Sequence, residues 1–143
     1  QKVLSEWEAK GKVGAGEVDK LEFVDFPIPD FGVADDEALK KLVVAVLERL
    51  RAGKPMYLHC RGGHGRTGTV VAIVLGAVYG IASTEALDLT QRFHDTRIDS
   101  QMAGSPETAD QRLQVHRLLK PNAAAAASSR DPKASSEADR RWW

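Results

Sequence analysis

Ten consecutive residues hold the groups best suited to chemistry: His59, Cys60, Arg61, Gly62, Gly63, His64, Gly65, Arg66, Thr67 and Gly68. Cys60 is the only cysteine of the chain, and Arg66 follows it with five residues between, of which three are glycine. Glycines let the backbone curl until successive N–H groups converge on one small volume, and converging amides form a cup for an oxyanion. A helix beginning at the end of such a turn adds the positive end of its dipole to the same volume. The planar fork of Arg66 can grip two oxygens of the bound anion. In that field the Cys60 thiol is expected to ionise well below an ordinary cysteine, in the range of about 3.5–7.5 found for activated thiols. A thiolate beside a guanidinium and an anion cup points to nucleophilic chemistry on a phosphate.

The elements around the loop are readable from pattern. Residues 55–59 form a short apolar run that predicts a strand leading into the loop. Residues 68–79 are apolar on every side, which predicts a central buried helix leading out of it, ended by Gly80. Residues 21–26 alternate apolar and acidic and predict a second strand. Pro27 and Pro29 interrupt it and leave Asp30 at the tip of a loop, with Gly32 as a hinge. Asp35 or Asp36 is placed to cap a helix reaching Ala52, with Leu39, Leu42, Val43, Val46, Leu47 and Leu50 on one face. Ser83 is expected to cap a helix over 84–97, its inner face built from Ala86, Leu89, Thr90 and Phe93. Ser105-Pro106-Glu107 has the composition of another helix start, and that helix stops before Pro121. Residues 3–10 predict one or two helical turns. Residues 121–143, rich in Ala, Ser and mixed charge, predict a disordered tail that leaves Trp142 and Trp143 without a role.

Composition narrows the partners. Twenty basic and 20 acidic side chains cancel, so no bulk field favours nucleic acid or an anionic membrane surface. A lone cysteine forms no disulfide framework, and a reducing, cytoplasmic setting is expected. No apolar run is long enough to span a bilayer as a helix. The first residue is Gln rather than Met. Only two strands are visible for four helices, and two paired strands alone are marginal. The expectation is one domain over 1–120 whose first strands precede residue 1.

The run 59–68 resembles the His-Cys-x-x-Gly-x-x-Arg-Ser/Thr-Gly motif of the protein tyrosine and dual-specificity phosphatase superfamily. The compact branch that holds the cyclin-dependent kinase inhibitor-type phosphatases and their bacterial relatives is the most similar. Residues 26–32, Phe-Pro-Ile-Pro-Asp-Phe-Gly, resemble the mobile acid loop of that family, and residues 105–111 resemble a segment that brings a glutamine to the site. The resemblance covers about 21–119. It implies an α/β fold with a central, mostly parallel sheet flanked by helices. It implies hydrolysis of a phosphate monoester, in a phosphorylated protein or a small phosphate ester, through a phosphocysteine intermediate and without metal or other cofactor. Cys60 would be the nucleophile and Arg66 the phosphate clamp. Asp30 would be the general acid, Thr67 the hydrogen-bond donor to sulfur, and His59 the residue orienting Cys60. Gln111 would position the hydrolytic water, with Gln114 as an alternative. Arg61, Gly62, Gly63, His64, Gly65 and Arg66 form the phosphate cup, with the Arg61 and His64 side chains facing either substrate or solvent. Asp35 and Asp36 are rival acids better explained by helix capping. His94 and His116 are expected to be structural, and Arg97 has no assigned role.

Other loops of this kind fit less well. A nucleotide-binding P-loop needs Lys where Arg66 stands. A sulfur-transfer domain of the rhodanese type would share the cysteine loop but not the Asp30 loop. A phospho-binding scaffold that has lost catalysis would keep the cup, and is the alternative of a different class.

Overall fold

The structure, a computed structural model, describes residues 21–98 and 103–119. Four helices order it: α1 (Asp36–Arg51), α2 (Gly65–Tyr79), α3 (Ser83–Asp95) and α4 (Ala109–Leu118). The expected helix over 3–10 and the tail from 121 lie outside the described residues.

α2 is the hub, packed against all three other helices. Its sequence explains why: Val70, Ala72, Ile73, Val74 and Gly76 are buried on successive sides of the cylinder, as expected of a central apolar helix, while its last residues, Ala77, Val78 and Tyr79, are exposed. Gly76 has no side chain because Leu119 occupies that space. α1 turns Leu39, Val43 and Val46 inward, and Val115 of α4 completes the cluster. Each such aliphatic side chain contributes on the order of 1.5–3 kcal/mol by leaving water. α1 starts where its cap predicts, since the Asp35 carboxylate accepts a hydrogen bond from the Ala38 N–H at 2.9 Å.

Several expected boundaries move, each for a local reason. α2 begins at Gly65 rather than Gly68, because the end of the glycine loop is already helical: Gly68 N–H donates to His64 O at 3.2 Å. α3 begins at Ser83 itself, with Ala82 as its cap, and ends at Asp95. The Ser83 hydroxyl is engaged with His116 Nδ1 at 2.7 Å instead of capping. In α3 the inward position expected for Phe93 belongs to His94, and Phe93 is exposed. α4 starts three residues after Pro106, at Ala109, because Thr108 and Gln111 form a reciprocal capping box there.

Neither 21–26 nor 55–59 forms a strand among the described residues. A strand persists only as a rung of a ladder, and these two segments share none. Leu21, Phe23, Val24 and Tyr57 stand more than half exposed. The central sheet implied by the resemblance thus has no strand among the described residues. No helix among them is long and apolar enough to cross a membrane.

Candidate active site

Cys60 lies where the chain enters α2. Gly63, at φ +72°, reverses the backbone in the left-handed region that suits glycine, and its N–H points back at Cys60 Sγ from 3.2 Å. Burial pushes the thiol pKa up. The Thr67 hydroxyl, the Thr67 and Gly63 amides and the Arg66 guanidinium outweigh it, so the pKa falls below an ordinary thiol's. Among the described residues the buried Thr67 hydroxyl oxygen has no hydrogen-bond partner, which leaves it available to the sulfur. His59 is less engaged than the resemblance implies. It is exposed, stacks on Tyr57 at 5.3 Å, and its Nδ1 is 3.4 Å from Cys60 O.

Arg66 reaches across to the Pro-rich loop. Its Nη2 is 2.8 Å from Asp30 Oδ1, and its Nη1 donates to Ile28 O at 3.4 Å. A cavity of about 220 Å³ opens between the two loops, with Asp30, Cys60, Arg66 and Gln111 in its wall. That is smaller than the ~300–1,000 Å³ of pockets that engulf a drug-sized ligand. Phe31, Arg61, His64 and Glu107 also line the cavity.

The loop is braced from outside by residues that its own pattern does not announce. Arg97, just past α3, donates to Gly63 O and Gly62 O, both at 3.1 Å. Holding these carbonyls outward leaves the peptide N–H groups on the inner side. Ser105 Oγ donates to His64 O at 2.9 Å, and Gly68 has no side chain because that hydroxyl fills its place. His64 Nδ1 lies 2.7 Å from Nε2 of the buried His94. No sequence spacing signals these contacts, since α3 and the segment before α4 come to the loop only in the folded chain.

Gln111 is brought to the site, but as a buried group and not a solvated one. Its Oε1 accepts from Glu107 N–H and Thr108 N–H, both at 3.1 Å, and its Nε2 donates to Gly32 O at 3.0 Å. It thereby links α4 to the Pro-rich loop, and Thr108 Oγ1 donates to Phe31 O at 3.3 Å. Phe31 itself takes φ 58°, a conformation that costs a non-glycine residue on the order of 1 kcal/mol and needs such anchoring. Gln114 is drawn away from the site: its amide donates to Ala34 O and Asp36 Oδ1 at the start of α1. Asp36 also pairs with Arg117 at 3.0 Å. Hydrogen bonds from Arg117 and Gln114 lower its pKa to about 2. Asp36 is thus structural, as is Asp35 in its cap. His116 is held by Ser83. Among the described residues, no group of three His, Cys, Asp or Glu side chains is arranged to hold a metal ion.

Comparison with known proteins identifies the arrangement. The family model for the Swiss Army Knife protein, DSP-PTPase phosphatase domain (PTP-SAK), matches residues 7–134. The chain belongs to the PTP-SAK family. It resembles the crystal structure of Tk-PTP in the active form, with a TM-score of 0.62 and 31% identity over 77% of this chain and 71% of that one. Among curated sequences it is 35% identical over 79 residues to "Putative tyrosine phosphatase 067L" of Invertebrate iridescent virus 3, covering 52% of this chain and 33% of the relative. Over 79 residues it is 32% identical to "Putative tyrosine phosphatase 197R" of Invertebrate iridescent virus 6, covering 52% and 30%. The PTP-SAK chain therefore spans about a third of the length of these viral relatives.

Proposed function

We propose that the chain hydrolyses phosphate monoesters as a cysteine-dependent tyrosine or dual-specificity phosphatase. The observation that carries this reading is the meeting of Cys60, Arg66 and Asp30 in one cavity, with the Asp30 carboxylate 2.8 Å from the Arg66 guanidinium. The substrate phosphate enters the cup and takes the Arg66 fork and the loop amides as its equatorial hydrogen-bond donors. Cys60 thiolate attacks phosphorus in line, the P–O bond to the leaving group breaks, and Asp30 in its acid form gives that oxygen a proton. Water then attacks the phosphocysteine and gives its proton to Asp30, while Cys60 departs as thiolate, stabilised by the Thr67 hydroxyl and the Gly63 amide. Gln111 keeps one amide hydrogen beyond its bond to Gly32 O, and a water beside the phosphoryl group is its natural acceptor.

Supporting this reading are the lowered Cys60 pKa and the small cavity, which accepts a phosphoryl group and leaves the rest of the substrate outside. The phosphorylated partner is a protein side chain or a small ester. Hydrolysis of an aryl phosphate by the purified chain, inhibited by orthovanadate and abolished in Cys60→Ser, is the test. Wild-type rates in Cys60→Ser refute the mechanism. Tight phosphopeptide binding with no phosphate released over hours would mark a phospho-binding protein instead.

A further inference from the structure

Two imidazoles meet behind the phosphate cup, and only one of them touches it. His64 closes the glycine loop and lines the cavity. His94 sits on α3, 5% exposed, with its ring edge-on to His64 at a centroid distance of 5.0 Å. His64 Nδ1 and His94 Nε2 are 2.7 Å apart. At that separation one nitrogen must carry a proton and the other a lone pair, because two N–H groups or two lone pairs would repel.

The other nitrogen of His94 decides which way the proton points. Among the described residues His94 Nδ1 is buried without a hydrogen-bond partner, and the Asp95 carboxylate, with Oδ1 3.9 Å away, is beyond hydrogen-bond reach. A proton on Nδ1 would be an orphaned buried donor, which folded proteins rarely tolerate, whereas an unused acceptor is met more often. A second proton is resisted as well: burial, His64 and Arg97 lower the His94 pKa, with Asp95 opposing. Neutral His94 therefore carries its one proton on Nε2 and donates it to His64 Nδ1. Neutral His64 must then carry its own proton on Nε2. That edge of the ring lies against Gly62: a Cβ at Gly62 would stand 2.7 Å from His64 Cδ2 and 3.3 Å from Nε2, and Gly62 is part of the cavity wall.

We propose that His94 is a positioning residue of the phosphate site: by donating to His64 Nδ1 it holds His64 as the Nε2–H tautomer, adding a neutral donor to the loop amides and the Arg66 fork. The inference rests on reading the cup as a phosphate site. The charged groups around the pair are Asp95 and Arg97 on the α3 side, Arg61, Arg66 and Cys60 on the loop side, and Glu107 across the cavity. None of their side chains lies within hydrogen-bond distance of the His94 ring, so His64 is the ring's one polar partner among the described residues.

The test reads the tautomer directly. Two-bond ¹H–¹⁵N spectra of ring-labelled, intact protein at neutral pH should show His64 with a bare Nδ1 and a protonated Nε2. In His94→Phe the preference should be lost, while His94→Gln, whose amide can donate along the same line, should keep it. Inorganic phosphate should bind about threefold to tenfold more weakly to His94→Phe than to wild type, the worth of one neutral hydrogen bond, and with near wild-type affinity to His94→Gln. A wild-type spectrum with His64 protonated at Nδ1 overturns the proposal without any variant. So does an unmoved phosphate affinity in a folded His94→Phe. Neither readout involves turnover, so an inactive enzyme with the expected tautomer would count against the phosphatase reading alone.

Discussion

Asp30 and Arg66 form the one ion pair that joins the acid loop to the cysteine loop among the described residues, at 2.8 Å, with Asp30 58% and Arg66 23% exposed. On the proposed mechanism the pair must open, since the guanidinium that holds Asp30 is the one the phosphate would take. An exposed pair of this kind contributes only ~0–1 kcal/mol, so a dianionic phosphate with several donors displaces the carboxylate easily. On that mechanism the released Asp30 is the acid for the leaving group.

Removing Asp30 should therefore separate binding from chemistry. Asp30→Ala is expected to lower kcat by about 10²–10⁴-fold, the usual worth of general acid catalysis, while orthovanadate inhibits at least as well as in wild type because its competitor for Arg66 is gone. Steady-state kinetics with an aryl phosphate and a vanadate titration check both. Parallel losses in kcat and vanadate affinity would assign Asp30 to binding instead.

The thiol should titrate early. With its pKa lowered by Thr67, Gly63 and Arg66 against the opposing effect of burial, Cys60 is a thiolate over a wider pH range than a free cysteine. Its alkylation rate should rise with pH and level off below the range of an ordinary thiol. Thr67→Ala removes the hydroxyl and should move that midpoint upward. Iodoacetamide labelling followed by mass spectrometry across pH measures it, and an unmoved midpoint would take Thr67 out of thiolate stabilisation.

Arg97 should matter to the cup although it is expected to touch no substrate. Arg97→Lys keeps the charge but lacks the fork that spans Gly62 O and Gly63 O. Vanadate affinity should fall by about tenfold, the effect of losing roughly one charged hydrogen bond, and the thermal midpoint should shift by only a few degrees. Inhibition constants and thermal melts distinguish a loosened loop from a generally weakened fold.

Asp36 offers a pH test away from chemistry. Its pKa is depressed to about 2 from 3.8, so its contribution is fully present above the unfolded value and is lost as pH falls through about 2. Asp36→Asn should destabilise by about 1 kcal/mol at neutral pH, less than the full shift implies because both Asp36 and Arg117 stand partly in solvent. The difference from wild type should shrink as acid approaches pH 2. Urea melts at pH 7 and pH 3 measure it, and a constant difference would remove the ion pair as its cause.

How much was legible follows from how local each feature is. The cysteine loop needs only neighbouring residues, so Cys60, Arg66 and the glycines could be read in a row. The amphipathic stripe of α1 and the all-apolar α2 were equally plain. Ser105-Pro106-Glu107 misled because a helix-start composition was present, while the box that forms, Thr108 with Gln111, lay three residues on and has its own S/T-x-x-Q pattern. Ser105 was already committed to His64 O. Arg97 and His94 gave no signal, because their partners are loop atoms distant in sequence. The two expected strands depend on neighbours that a single segment cannot supply.

The bonds from Thr108 to Phe31 O and from Gln111 to Gly32 O cross 77 and 79 residues of sequence. The acid loop and the first turn of α4 thus behave as one part cut in two by the rest of the chain. A chimera that imports a relative's acid loop alone would arrive without its mooring, with Phe31 or its replacement free to leave φ 58° and the acid swinging away from the leaving group. If Asp30 is the acid, as proposed, exchanging both pieces together is the smallest graft expected to carry it in working position.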